Sequence, residues 1–403
     1  MKQLDFNDNQ PEDSLNIDLG KYRAVPDTPS PALIAPGQVP PADARVMTRV
    51  GVSAAELERS ATYIQEDFFP VCVAAHSEYL ELLPIADALA KYDWLREKYY
   101  WQAVPANQDK YTAQASTVSE PQGYFIRVKA GAKIPYPVQA CLYMTRGDIV
   151  QTVHNIVILE EGAELKLITG CTMRDGVRAG VHIGITESYV GINAKLTSTM
   201  VHSWSQETQV RPHSGTIVEA GGAYVENYCS LQPAKSVKTN PKTWLDGKGA
   251  SAKYLTIILG SEGAAIDTGG EVYLNGKNTS AELAHRAVCT GGRINQTGLL
   301  VGSNVCRAHV DCAGMVVDAR NDGFILSIPG LRSSHPEARM SHEASIGKIA
   351  PEQVEYLQSR GMDEREAISL IIRGFLGADV FGLGAELDAR IEEIAELAGH
   401  GEA

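Results

Sequence analysis

No run of about 18 apolar residues, the length a bilayer-spanning helix needs, occurs in this chain. The opening Met1-Lys2-Gln3-Leu4-Asp5 has no apolar core of the kind a secretory signal carries. Both absences point to the cytoplasm. Basic runs are missing as well, and the net charge of −13 argues against a general binder of nucleic acid or anionic membrane. Asp246-Gly247-Lys248-Gly249 and Asn275-Gly276-Lys277-Asn278 contain Gly-Lys, but neither has the upstream glycine or the following Ser/Thr of a phosphate-binding loop. No Gly-x-Ser-x-Gly elbow occurs, and no Gly-x-Gly-x-x-Gly opens a helix, so no nucleophilic or dinucleotide enzyme class is favoured. Cys-x-x-Cys is absent too, which argues against a permanent ferredoxin-type or zinc-ribbon site. The seven cysteines are odd in number and scattered. In a chain read as intracellular, that pattern means free thiols or metal ligands rather than a disulfide framework.

What is present is an ordinary globular composition, 44% hydrophobic and 21% charged over 403 residues. Three regions are expected. Residues 1–115 read as an arm rich in Pro, Asp and Asn, followed by helices. One helix starts at a capping box, Ser53-Ala54-Ala55-Glu56, and a second covers roughly Pro84 to Trp101. In residues 116–343 short β-rich runs are separated by a recurring corner. The corner appears as Gly131-Ala132, Gly162-Ala163, Asn193-Ala194, Gly222-Ala223 and Gly263-Ala264, mostly at intervals of about 30 residues. Glycine or asparagine supplies the positive φ of a tight corner, and the apolar residue two places after the Ala starts an inward-facing strand. This period predicts a parallel β-helix, with a β-sandwich as the competing fold. Residues 344–403 read as helical, with Gly361 and Gly374 punctuating two short helices and an amphipathic one near Leu387 to Leu397.

The chemistry narrows to a few metal-ligand types. Cys306-Arg307-Ala308-His309-Val310-Asp311-Cys312 packs two thiols and an imidazole into one run, and Cys289 precedes it. On a strand, Cys306 and Cys312 share one face and His309 takes the other. In a solenoid with one coil between them, Cys289 and Cys312 are expected as vertical neighbours. Thiolate is the soft ligand that iron–sulfur clusters require. The same thiols are equally what a β-rich core uses as small buried hydrophobes. Further on, His342 and Glu343 are adjacent, at the end of a strand-like region and just before a helical one.

Several segments together resemble the SufB/SufD family of iron–sulfur cluster assembly proteins, most closely its archaeal-type branch. They are Tyr92 to Trp101, Met200-Val201-His202-Ser203-Trp204 leading to Val210-Arg211-Pro212, Thr239-Asn240-Pro241-Lys242, His309-Val310-Asp311-Cys312, and Ser341-His342-Glu343-Ala344-Ser345-Ile346-Gly347-Lys348 running on to Phe375-Leu376. The resemblance implies a right-handed parallel β-helix between helical ends and a homodimer formed through the last β-helix strands. It also implies a transient iron–sulfur cluster and a SufC-type ABC ATPase docked on the C-terminal helices near Ile372, Arg373, Gly374 and Phe375. Sulfur donor and apo acceptor proteins would be further partners. Glu343 and His342 match cluster-site residues of the family, while its usual cysteine falls at Ser333 here. Cys312 and Cys289 are the expected stand-ins, with Cys306 and His309 beside them. The function expected is a non-enzymatic scaffold. A SufD-like structural partner without its own cluster is the first alternative, and a β-helix carbohydrate lyase the second.

Overall fold

The computed structural model describes residues 15–53, 58–230, 232, 234–317, 323–377 and 384–399. The capping box expected at Ser53 lies mostly outside them. The middle of the chain is a parallel β-solenoid of about seven turns with helices towards its termini. Its strands fall into two facing sheets, and each coil contributes one strand, or two short pieces, to each wall. The first wall stacks Val138–Met144, Glu164–Met173, Lys195–Ser203, Ala223–Ser230, Ser251–Gly260, Thr279–Cys289, Cys306–Val316 and Arg339–Lys348 in parallel register. In the second wall Pro241 splits one coil into Ser236–Thr239 and Lys242–Leu245, because proline donates no ladder hydrogen bond. The last strand of this wall is Phe324–Ser333, which pairs with Arg293–Gly302.

Corners of the expected kind set the coil. Gly131, Gly162, Asn193 and Gly263 all have positive φ. Two details differ from expectation. At the fourth copy the left-handed residue is Gly221, not Gly222. A further copy, Gly249-Ala250, fills what had looked like a long step before Gly263. Gly249 precedes a first-wall strand and Gly263 a second-wall strand, so the sequence repeat had mixed two corners of the coil.

The wall strands are apolar on the inward face, and several are apolar on part of the outward face as well. Inward residues such as Leu142, Leu167, Leu196, Val237, Ile266, Leu283, Ile294 and Val310 fill the bore. Outward residues are roofed by the two ends of the chain. Ile17, Val104, Tyr111 and Ala115 cover Val181, Ile183 and Ile185, and the aromatic segment near Tyr92 and Trp94 packs on Phe125, Ile156 and Tyr189. On the first wall, Ile368, Ile372, Leu376, Leu387 and Ile391 cover Val201, Cys229, Ile257, Val288 and Met315.

Glu187 ties the aromatic segment to the second wall. Its buried carboxylate accepts from the N–H of Trp101 at 2.6 Å, Ala103 at 2.5 Å and Val104 at 3.1 Å. It also bonds the His154 Nε2 at 2.7 Å and the Tyr189 hydroxyl at 3.1 Å. Trp101 itself has φ of 60°, a conformation a tryptophan keeps only where its surroundings impose it.

Three local readings are corrected. Within the region 1–115, read as an arm followed by helices, the chain after the Ser53 capping box forms the strands Ala61–Glu66, Phe69–Ala75 and Leu80–Pro84. The helix expected from Pro84 to Trp101 is two, Ile85–Lys91 and Asp93–Lys98, parted at Tyr92, whose φ of −128° is extended. Gly374 does not end a helix. It lies inside Glu364–Leu376, which starts at an Asp363–Glu366 capping box and stops at Gly377, where φ is 59°.

The two ends of the solenoid differ. At the N-terminal end the hairpin Ala61–Glu66/Phe69–Ala75 and the strand Leu80–Pro84 close the coil with antiparallel pairs, and the Ile34 N–H bonds the Val71 carbonyl outside them. At the C-terminal end, Phe324–Ser333 and Arg339–Lys348 carry no further strand among the described residues.

Candidate functional site at the open end

Arg339–Lys348 continues past residue 343, so His342 and Glu343 sit in mid-strand rather than at its end. Adjacent residues of a strand point to opposite faces. His342 pairs in register with the buried Val310 and so takes the bore face. Glu343 pairs with Asp311 on the outer face, where Arg286 bonds Asp311 at 2.5 Å. Both His342 and Glu343 are exposed, and among the described residues no strand is stacked on this last coil. The adjacency in sequence therefore does not bring both side chains onto one side of the strand.

The cysteines are placed more deeply. All seven are free thiols and all are buried. Cys306 and Cys312 share the bore face, with His309 on the other side. Cys312 lies next to Ala344 in register, one same-face position along from His342 on the neighbouring strand. Burial pushes its thiol up to about 12 and also raises that of Cys306. The expected stacking of Cys289 on Cys312 is not found. Cys289 pairs with Val316 and donates its thiol hydrogen to the Gly292 carbonyl at 3.1 Å, while the partner of Cys312 is His285. The reason is coil length: the corner at 290–292, the strand Arg293–Gly302 and the turn at 303–305 make the coil from Cys289 to its partner Val316 longer than the Cys289–Cys312 interval. His309 lies outside, its Nδ1 2.8 Å from the Ser341 hydroxyl, in a groove of about 700 Å³ shared with Arg307, Glu282 and Arg339. Ser333 is exposed at the end of its strand.

Sequence reasoning missed His285. It is buried in the bore beside Cys312, neither ring nitrogen has a partner among the described residues, and burial together with Arg286 pushes its pKa down to about 4. Its alternation with Leu283 and Ala287 was the available signal.

Of the expected docking residues, Ile372 is fully buried against the first wall, and Arg373 is ion-paired to Asp388 and Glu392. Phe375 is half-buried beside it and Gly374 is exposed. The large apolar side chains that these helices leave outward are Tyr356, 58% exposed, and Leu370, 44% exposed.

A parallel β-solenoid with a mainly apolar bore that also holds buried thiols and imidazoles, its last coil uncovered by any further strand among the described residues and its walls covered by terminal helices, defines the class. The chain belongs to the SufBD family: the model described as SUF system FeS cluster assembly, SufBD core domain, matches residues 142–375. Relatives named as iron–sulfur cluster assembly SufBD family proteins agree. One from Archaeoglobus fulgidus is 41% identical over 357 residues, covering 88% of this chain and 95% of that one. Another, from Methanothermobacter thermautotrophicus, is 39% identical over 365 residues, covering 89% and 88%. A third, from Pyrococcus horikoshii, is 30% identical over 323 residues, covering 79% and 71%. Among the described residues no helix is long and apolar enough to cross a membrane.

Proposed function

We propose that this chain is a non-enzymatic cytoplasmic scaffold on which an iron–sulfur cluster, its cargo, is assembled at the open last coil. A second copy would pair through Phe324–Ser333 and Arg339–Lys348. A SufC-type ABC ATPase would act from the C-terminal helices, and a sulfur donor and apo acceptor proteins would visit. The observation that carries the reading is the open coil. Its two last strands present exposed His342 and Glu343, with Phe324, Ile328 and Ile346 each more than 40% exposed beside them and Cys312 one strand beneath. Uncovered apolar side chains on an unpaired strand edge are what another chain covers. Cys312 reaches iron only when that edge opens, and iron then displaces its thiol proton.

Anaerobic reconstitution with iron and sulfide tests this. Wild-type chain should turn brown, His342→Ala and Cys312→Ser should each lose most of the bound iron, and Cys72→Ser should keep it. Equal retention by all four proteins sinks the site.

Ser333 in place of the family cysteine, together with the burial of every thiol, supports a second reading, a SufD-like partner that carries no cluster. A colourless wild type would favour it.

The ATPase is expected to dock on the outward side of Pro351–Gln358 and Glu364–Leu376, around Tyr356, Leu370 and Gly374, since Ile372 is committed to the wall. Leu370→Asp combined with Tyr356→Ala should weaken ATPase binding more than about tenfold while leaving the urea midpoint unchanged. Point changes are preferable to removing residues 350–403, which would strip Val288 and Met315 of their cover. Undiminished affinity in the double variant would place docking elsewhere.

A further inference from the structure

A second group of metal-binding side chains stands in the bore, several coils from the open end. Cys171 on Glu164–Met173 and His202 on Lys195–Ser203 are register partners on successive coils of the first wall. His182 comes from Ala179–Val190 in the second wall and reaches across the bore to meet them. One ligand atom from each of the three lies within 4.8 Å of the other two. All three residues are buried, none more than 1% exposed.

The neighbours aim these rings. Gln151 Nε2 donates to the Asp67 carbonyl at 2.9 Å and to the Tyr143 carbonyl at 3.3 Å, which turns its Oε1 towards His182. The Nδ1–H of His182 donates to that oxygen at 2.9 Å, so its Nε2 is the unprotonated nitrogen. His202 Nδ1 is 3.1 Å from the Tyr228 hydroxyl, and its Nε2 has no hydrogen-bond partner among the described residues. The Trp204 indole lies against His182 at 5.1 Å between ring centroids. Such outer partners on the non-ligating nitrogen are how proteins fix a metal-binding imidazole. A buried ring nitrogen with nothing to bond is unfavourable, and in a native fold it calls for an explanation.

We propose that Cys171, His182 and His202 form a three-ligand site for a divalent transition ion of borderline softness, zinc or ferrous iron. One thiolate and two imidazoles match such ions, whereas magnesium and calcium demand oxygen ligands. Three protein ligands leave one coordination position open, the arrangement of exchangeable or reactive sites rather than closed structural ones. On binding, the Cys171 S–H bond breaks, the proton leaves to solvent, and the thiolate binds the ion with no change of oxidation state. Burial holds this thiol well above its usual pKa, so one proton is released per ion bound. The site shares no residue with the open end and does not rest on the scaffold reading.

Cobalt(II) is the probe. The full chain is produced under reducing conditions in cobalt-supplemented medium, so that the ion is present while the coil forms. Wild type should hold one cobalt per chain, with a thiolate-to-cobalt charge-transfer band in the near ultraviolet. Cys171→Ser should lose that band, and His202→Gln should bind at least about tenfold more weakly. Cys72→Ser, a buried thiol outside both sites, should match wild type. A wild-type chain without the band, or a Cys171→Ser chain that keeps it, overturns the site. Loss of the band in Cys312→Ser alone would assign the ion to the open end and overturn it equally. Urea midpoints of the variants separate loss of a ligand from loss of the fold, and the wild-type spectrum decides the matter even if a variant fails to fold.

Discussion

Glu187→Ala will cost this chain roughly 3–5 kcal/mol of stability, among the largest effects of any single change away from the bore. Its carboxylate is the acceptor for three backbone N–H groups, at Trp101, Ala103 and Val104, and a partner of His154 and Tyr189. Alanine leaves those donors buried without an acceptor, and each orphan costs about 1–3 kcal/mol, partly relieved by local rearrangement. The same change frees the positive-φ Trp101, so the aromatic segment should lift from the second wall before the coil unfolds. A lower urea midpoint, together with a red-shifted tryptophan emission that changes below that midpoint, is the expected result. Glu187→Gln, which keeps one oxygen, should cost less. If Glu187→Ala lies within about 1 kcal/mol of wild type, the carboxylate is not the anchor described.

Mild acid should weaken the fold through its buried histidines. Burial, reinforced by Arg286 and opposed by Asp311, pushes His285 down to about 4, and burial lowers His154 against the pull of Glu187. A histidine whose folded pKa lies below its unfolded value takes up a proton only on unfolding. Its contribution is complete above about pH 6.5 and is lost as pH falls towards the folded pKa, at about 1.4 kcal/mol per pH unit for each such residue. Around His285 the groups in reach are Arg286, Asp311 and the Cys312 thiol. His285→Gln should therefore remove about one proton from the pH dependence of stability between roughly pH 6.5 and 5. Identical slopes in variant and wild type would show that His285 is already protonated, or hydrated, in the folded chain.

The solenoid was legible because its corners are local. A left-handed residue followed by Ala and a strand recurs at Gly131, Gly162, Asn193, Gly249 and Gly263, and no long-range information is needed to see it. Strand parity was legible for the same reason, so Cys306 and Cys312 on one face and His309 on the other follow from alternation alone. Coil register is not local. Which residue stacks on Cys312 depends on how many residues the corner at 290–292, the strand Arg293–Gly302 and the turn at 303–305 take up, and that is why His285 stands where Cys289 was expected. The group at Cys171, His182 and His202 was invisible for a stronger reason. His182 belongs to the opposite wall, and only closure of the coil brings it to the other two. The strands Phe69–Ala75 and Leu80–Pro84 were missed because Pro70 and Pro84 interrupt runs too short to show a period. Val354, Ile368 and Ile372 recur at helical spacing and form an apolar stripe. Their spacing held no sign that the chain's own wall would claim Ile372.

In the terms of polymer chemistry, a solenoid with two open ends is a bifunctional monomer and grows into a fibre, each copy adding to the last. On the function proposed above, this one would be monofunctional. Among the described residues its first coil is closed by antiparallel strands that offer no parallel template, and the final coil would be the one that pairs. A union of two such ends uses up both reactive groups and terminates the chain at a degree of polymerisation of two. The short strands before Pro84 thus act as a chain stopper, and a variant that unpicked them would be expected to thicken and gel rather than simply to unfold.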